Sequence, residues 1–116
     1  MKMYTSREQT AKLIELGFEK PKNTQYIQRA KARNLHSPFI EFGEPEFEGS
    51  YSIGELLSFL PTSWEGDDYY ALTIRGSKVM YSDPYLDWIE IDWVKHEELI
   101  DNLFDACVEL KEEGVL

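Results

Sequence analysis

Two β-rich runs around Gly76 and Ser77 are the feature that most constrains the fold. The segment 68–83, DYYALTIRGSKVMYSD, is rich in aromatic and β-branched residues on both sides of this dipeptide. Glycine at the first central position suits a type II′ turn, whose twist matches that of paired strands. The pattern therefore predicts an antiparallel hairpin.

A third strand is predicted over residues 86–94, LDWIEIDWV, because apolar and polar side chains alternate there. This alternation places Ile89, Ile91 and Trp93 toward the core. The same pattern places Trp88, Glu90 and Asp92 on the opposite, solvated face.

Capping patterns predict the start of two helices. The first helix begins at Thr5 or Ser6, since both are followed three residues later by Glu or Gln, and it ends at Gly17. The second covers residues 51–61, with an S-x-x-E capping box that begins at Ser52. Both helices carry apolar residues at the spacing of one helix face.

A third helix is predicted from His96 to Glu113, with Gly114 as its end. The chain therefore belongs to the α+β class: one domain, residues 1–116, with a small antiparallel sheet of about three strands covered by N-terminal, middle and C-terminal helices. Residues 19–36 favour no single structure, and the proline- and glycine-containing residues 36–50 are predicted to be extended or looped. The predicted buried stripe of the third helix consists of Leu99, Ile100, Leu103, Phe104, Cys107 and Leu110.

The third helix also carries an acidic residue at every fourth position. Repulsion between such neighbours costs roughly 0.2–0.5 kcal/mol per pair, which is less than burial of the apolar face contributes. The row therefore requires no function, and a solvated face is the simplest interpretation. Docking to a basic protein and imitation of nucleic acid are alternatives. The members of this acidic row are Glu97, Asp101, Asp105, Glu109 and Glu113.

Charge limits the partners of the protein. The chain has 12 basic and 22 acidic residues, a net charge of −10. Residues 1–36 carry eight basic and three acidic residues, whereas residues 37–116 carry four basic and 19 acidic residues. Such a field repels nucleic acid and anionic membranes and attracts a basic protein. We expect a cytoplasmic protein, a monomer or weak homodimer, with no membrane span and no direct binding of nucleic acid.

Few chemistries fit the sequence. His96-Glu97 begins like the zinc motif H-E-x-x-H, but its fifth position is Ile100. No glycine-rich phosphate loop or nucleophile motif is present, so we expect no cofactor and no metal. The single cysteine, Cys107, is predicted to be a buried apolar residue. A small enzyme that uses Glu90 and Asp92 as an acid–base pair is an alternative, and it requires a dry cleft around them.

Aromatic residues near loop ends and on the solvated strand face are typical of protein interfaces. Together with the acidic residues they form the predicted interaction surface. Its members are Trp64, Tyr69, Tyr85, Trp88, Glu90, Asp92, Asp101, Asp105 and Glu109.

Three segments resemble a family of small uncharacterised proteins of phages and prophages of gut Bacteroidetes. The first is the T-S-x-E-Q opening with L-x-x-L-G, from Thr5 to Gly17, and the second is S-I-G-x-L-L-x-x-L-P, from Ser52 to Pro61. The third is the closing helix from Asp101 to Gly114. These are mostly cap and core positions, so the resemblance implies a shared fold and no particular chemistry. Our leading hypothesis is a non-enzymatic, phage-type accessory protein that binds a basic partner. An acidic nucleic-acid mimic that inhibits a host DNA-binding enzyme is the alternative.

Overall fold

A computed structural model describes residues 1–22, 49–64, 67–83 and 88–116. Its three helices in these ranges are α1 (Arg7–Glu15), α2 (Ile53–Phe59) and α3 (Leu99–Glu112). Its strands there are β1 (Ser63–Trp64), β2 (Asp67–Arg75), β3 (Lys78–Asp83) and β4 (Trp88–Trp93). The strands form one antiparallel sheet in the order β1-β2-β3-β4. The α+β prediction is confirmed, with β1 as a two-residue addition to the three predicted strands.

The predicted hairpin is present. Strands β2 and β3 pair from Ala71↔Ser82 to Arg75↔Lys78, with Gly76 and Ser77 as the two turn residues. Gly76 has φ +63°, a conformation that glycine adopts without steric cost and that a primed turn requires at this position. A two-residue turn fixes the register, so the local sequence decides which β2 and β3 residues share a face.

Both predicted capping boxes are present. Ser6 begins α1: its hydroxyl accepts a hydrogen bond from the Gln9 amide at 3.1 Å, and the Gln9 side chain accepts one from the Ser6 amide at 2.9 Å. Ser52 and Glu55 repeat this arrangement at the start of α2. Thr5, the other predicted cap, is instead buried, and its hydroxyl lies 2.7 Å from that of Thr10.

Helix α1 ends as predicted, with Gly17 at φ +99°. The Phe18 amide donates to the Leu13 carbonyl and the Gly17 amide to the Ile14 carbonyl, which is the Schellman arrangement. Gly114 ends α3 in the same way. The start of α3 differs from the prediction, because the helix begins at Leu99 and not at His96.

The core lies between the helices and one face of the sheet. Tyr81 and Trp93 meet there edge to face, with ring centroids 6.1 Å apart. Cys107 is fully buried in this core, as predicted, and burial raises the pKa of its thiol to about 12. Leu99 and Phe104, predicted to be buried, are only partly so. The buried core residues are Leu13, Tyr51, Leu56, Leu60, Val79, Tyr81, Trp93, Ile100, Leu103, Ala106, Cys107 and Leu110.

The opposite face of the sheet is not uniformly solvated. Met80 and Ser82 alternate with the core residues of β3 and therefore lie on this face, yet they are only 3% and 2% exposed. The Ser82 hydroxyl donates to the Thr73 hydroxyl at 3.0 Å, so this buried polar group has a partner. The solvated face that the sequence predicted for the strand 86–94 therefore does not extend to the central strand β3.

Candidate interaction surface

The register of β4 contains a bulge that the sequence pattern did not predict. Tyr81 pairs with Ile91, but the next residue, Ser82, pairs with Ile89, so Glu90 is an extra residue in β4. The side-chain alternation reverses at this point. Ile89 shares the face of Ser82 and is 50% exposed. The prediction that it faces the core is therefore wrong, whereas Trp93, on the C-terminal side of the bulge, is buried as predicted.

The exposed residues of β4 combine acidic and apolar side chains. Glu90 and Asp92 are both exposed, as predicted. Ile89 is 50% exposed, and Val94, directly after the strand, is 45% exposed. Two carboxylates and two branched aliphatic side chains therefore share one short segment. We refer to residues 89, 90, 92 and 94 as the β4 edge surface.

Hydrogen bonding shows which backbone groups of β4 face outward. The Leu72 amide donates to the Thr62 carbonyl at 2.9 Å, so the backbone amide and carbonyl of Leu72 point toward β1. The backbone groups of its two neighbours in β2 point toward β3. In an antiparallel sheet, residues whose backbone groups point to one neighbouring strand alternate with residues whose backbone groups point to the other, and the register carries this pattern from strand to strand. Tyr81 and Ile91 therefore bond each other, and the amide and carbonyl of Asp92 point away from β3. Within the described ranges, no strand pairs with this outer edge.

Asp101, at the first turn of α3, belongs to a network with the N-terminus. Its Oδ1 accepts hydrogen bonds from the Lys2 ammonium and from the Gln9 side-chain amide, each at 2.8 Å. The Lys2 backbone amide donates to Glu98 at 2.9 Å. Burial opposes ionisation of Asp101, but these hydrogen bonds and the charge of Lys2 outweigh it and lower the pKa of the carboxyl. The carboxylate therefore ties the chain start to α3.

The next two members of the acidic row also have partners. Asp105 lies 2.8 Å from Nε2 of His96. Glu109 accepts a hydrogen bond from the Trp93 indole, which satisfies the one polar group of that buried ring. Of the five members of the row, only Glu97 and Glu113, at its two ends, are exposed, and the other three are partly buried. The row rotates by about 40° per step around the helix, which is why its members reach different neighbours.

The predicted surface therefore divides into two parts. Asp92 pairs with Met80, so it lies on the sheet face opposite the helices, whereas Glu109 contacts Trp93 on the helix side. Asp92 and Glu109 therefore lie on opposite sides of the sheet and do not share one surface. The central members of the row stabilise the fold through internal contacts, which corrects the interpretation of the row as a simple solvated face.

The predicted aromatic residues of the surface are placed only by their backbone. Trp64 lies in β1, Tyr69 in β2 and Trp88 in β4. Tyr85 lies outside the described residues, as do the segment 23–36 of undecided structure and most of the predicted loop 36–50. The interface role of these four aromatic residues remains a prediction.

Acid–base chemistry finds little support at Glu90 and Asp92. Both side chains are exposed, whereas a catalytic carboxyl pair needs a dry environment that raises one pKa. Across the described part of the chain, no three His, Cys, Asp or Glu side chains form a group that would hold a metal ion.

Sequence reasoning missed Asn102, a fully buried polar residue of α3. Its side-chain amide donates to the carbonyls of Ser77 at 2.7 Å and His96 at 3.0 Å, and its Oδ1 accepts from the His96 amide at 2.9 Å. Asn102 thus joins the hairpin turn to the segment that precedes α3. Its only sequence signal was a polar residue between the apolar positions 100 and 103, which is also common on helix surfaces.

None of the helices in the described ranges is long and apolar enough to cross a membrane. Comparison of the chain with family models, with curated proteins and with solved structures returns no match.

Proposed function

We propose that this chain is a non-enzymatic protein-interaction module that binds a basic partner through the β4 edge surface. The observation that carries the proposal is the combination of exposed Ile89, Glu90, Asp92 and Val94 on a strand whose outer edge pairs with no described strand. Exposed apolar side chains supply contact area, and the neighbouring carboxylates select a partner of positive charge.

The charge of the whole chain supports the same class of partner. A net charge of −10 steers basic molecules toward the protein and repels nucleic acid. Attraction between exposed charges is screened by salt over about 10 Å at 0.1 M, so binding of this kind weakens as salt is added.

The acidic row of α3 contributes less to this surface than the sequence suggested. Asp101, Asp105 and Glu109 already hold partners within the chain, so engaging a second molecule would disturb contacts that stabilise the fold. Glu97 and Glu113 remain exposed but lie just beyond opposite ends of α3. This division favours β4 over α3 as the recognition element.

The resemblance to phage and prophage proteins supports a cellular setting for this activity. We propose a phage-type accessory protein that acts in the cytoplasm of a Bacteroidetes host, as a monomer or weak homodimer. Its partner is then a basic protein of the host or of the phage itself.

The test is capture from a Bacteroidetes lysate at low salt with three immobilised proteins. They are the unmodified chain, a Glu90→Lys/Asp92→Lys variant, and a Glu97→Lys/Glu113→Lys variant as the matched control. Both variants change the net charge by the same amount at exposed positions. Thermal melts establish that all three are folded.

We expect the unmodified chain and the Glu97/Glu113 variant to capture the same basic protein in a salt-sensitive manner, and the Glu90/Asp92 variant to lose it. Equal losses in both variants would show that net charge alone is responsible, and no salt-sensitive capture at all would reject the proposal. Duplex DNA should not displace the partner. Displacement by DNA would instead favour the nucleic-acid mimic.

A further inference from the structure

We infer that the partner binds by strand addition: an extended segment with Lys or Arg at alternating positions pairs with the outer edge of β4. This inference rests on the proposed function for the sign of the partner's charge. It adds the conformation of the bound segment, its position relative to Asp92 and the backbone groups that hold it.

The backbone of β4 offers the hydrogen bonds for such pairing. The alternation established from the Leu72–Thr62 hydrogen bond directs the amide and carbonyl of Asp92 outward. Beyond the bulge, Ile89 pairs with Ser82, whose backbone amide and carbonyl point toward β2. The backbone groups of Ile89 therefore also point outward. An added strand would exchange hydrogen bonds with these residues, as in other cases of β-strand addition.

The charge of the edge selects the added segment. A residue placed directly opposite Asp92 in an added antiparallel strand has its side chain beside the Asp92 carboxylate. A cation at that position is favourable, and an anion is not. Because Asp92 presents both its amide and its carbonyl, the residue opposite it must turn its own amide toward β4. The basic residues of the segment are therefore those whose amides bond to the protein.

A second copy of this chain fits the edge poorly. Pairing of β4 with β4 would bring the Glu90 and Asp92 carboxylates of two molecules onto strands only about 4.8 Å apart. Each molecule also carries a net charge of −10. Charge complementarity thus favours a basic segment over self-association.

Bulges and charges on edge strands also serve to prevent unwanted pairing. A purely protective role for Glu90 and Asp92 is therefore the opposing outcome of the test. If protection is the whole explanation, a basic extended peptide gains nothing from its backbone when it meets β4, and any binding depends on charge alone.

The first experiment uses a nine-residue peptide that alternates Lys with Val or Thr, followed by fluorescence anisotropy at low salt. One derivative is N-methylated at the Lys amides and another at the intervening amides. We expect methylation of the Lys amides to weaken binding at least tenfold, because it blocks the hydrogen bonds to β4. Methylation of the other amides should change affinity by less than about threefold. Equal effects of the two derivatives, or no binding of the parent peptide, would overturn the inference.

The second experiment changes the protein. Asp92→Pro removes the outward amide without removing a hydrogen bond to β3, a position where an edge strand tolerates proline. Asp92→Asn removes the charge and retains the amide, and it is the matched control. We expect Asp92→Pro to bind the Lys peptide about tenfold more weakly than Asp92→Asn does, while thermal melts show both to be folded. Equal affinities would refute strand addition.

These outcomes separate the inference from the proposed function. If strand addition is wrong and the proposed function is right, the Lys peptide binds in a salt-dependent way but ignores backbone methylation and the proline substitution. If the proposed function is wrong, no salt-sensitive capture occurs, or the Glu90→Lys/Asp92→Lys variant captures the same proteins to the same extent as the Glu97→Lys/Glu113→Lys control.

Discussion

Replacing Asn102 with alanine tests whether this buried side chain holds the hairpin against α3. Asn102 is fully buried and makes three hydrogen bonds, two to backbone carbonyls and one from a backbone amide. A neutral hydrogen bond contributes about 1 kcal/mol net, and its loss leaves the buried partner unsatisfied. The three together predict a loss of about 3 kcal/mol in the free energy of unfolding.

This loss is large for a domain of 116 residues, since such domains have a total stability of about 5–15 kcal/mol. An unfolding entropy of about 2.1 cal/mol/K per residue converts 3 kcal/mol into a fall in Tm of about 12 °C. Urea unfolding followed by circular dichroism measures the free energy, and a thermal melt measures Tm.

Two further variants sharpen the measurement. Glu113→Ala changes the exposed C-terminal cap residue of α3 and should alter stability by less than about 0.5 kcal/mol. Asn102→Asp keeps the acceptor, loses the amide donors and places a carboxylate against two carbonyl oxygens, so at neutral pH it should be worse than alanine. A loss below about 1 kcal/mol for Asn102→Ala would refute the argument that these hydrogen bonds join the two elements.

Three other predictions concern local features. Ser6→Ala removes the capping box of α1 and should cost about 1 kcal/mol in urea unfolding, and an unchanged midpoint would show that the cap contributes nothing. The Asp101 carboxyl has a lowered pKa in the folded state, so its stabilisation is complete above the unfolded value of about 4 and disappears as pH falls through the folded value. The difference in urea midpoint between the unmodified chain and Asp101→Asn should therefore shrink in acid, and a difference independent of pH would contradict this. Cys107 is buried, and burial raises the pKa of its thiol to about 12. At pH 8 a disulfide reagent should therefore modify it only as fast as the chain unfolds. Rapid reaction of the folded protein would contradict this burial.

Much of the fold was predictable because the responsible interactions are local. The Ser6 and Ser52 capping boxes join residues three positions apart, and the Gly76-Ser77 turn sets the register of its two strands. Glycine ends α1 and α3 at Gly17 and Gly114 because the left-handed conformation is favourable there mainly for glycine. Each of these features depends on a few neighbouring residues, so the sequence alone indicates them.

The candidate site was less predictable. Glu90 and Asp92 were identified as exposed from simple alternation, and they are exposed. Alternation failed at Ile89, because one extra residue in β4 reverses the faces and no local pattern marks it. The error matters for the site, since Ile89, which the prediction assigned to the core, is an exposed member of the β4 edge surface.

The sequence by itself determined the capped starts of α1 and α2, the glycine ends of α1 and α3, the hairpin and the overall charge. Only the tertiary structure decided what the polar residues contact. Lys2 meets Asp101 across 99 positions of the chain, and Asn102 reaches the hairpin turn 25 positions away. Such contacts depend on how the helices dock on the sheet, and docking is fixed by the packing of many side chains at once. For this reason the central residues of an evenly spaced acidic row contact different neighbours within the chain, whereas Glu90 and Asp92 of β4 remain exposed.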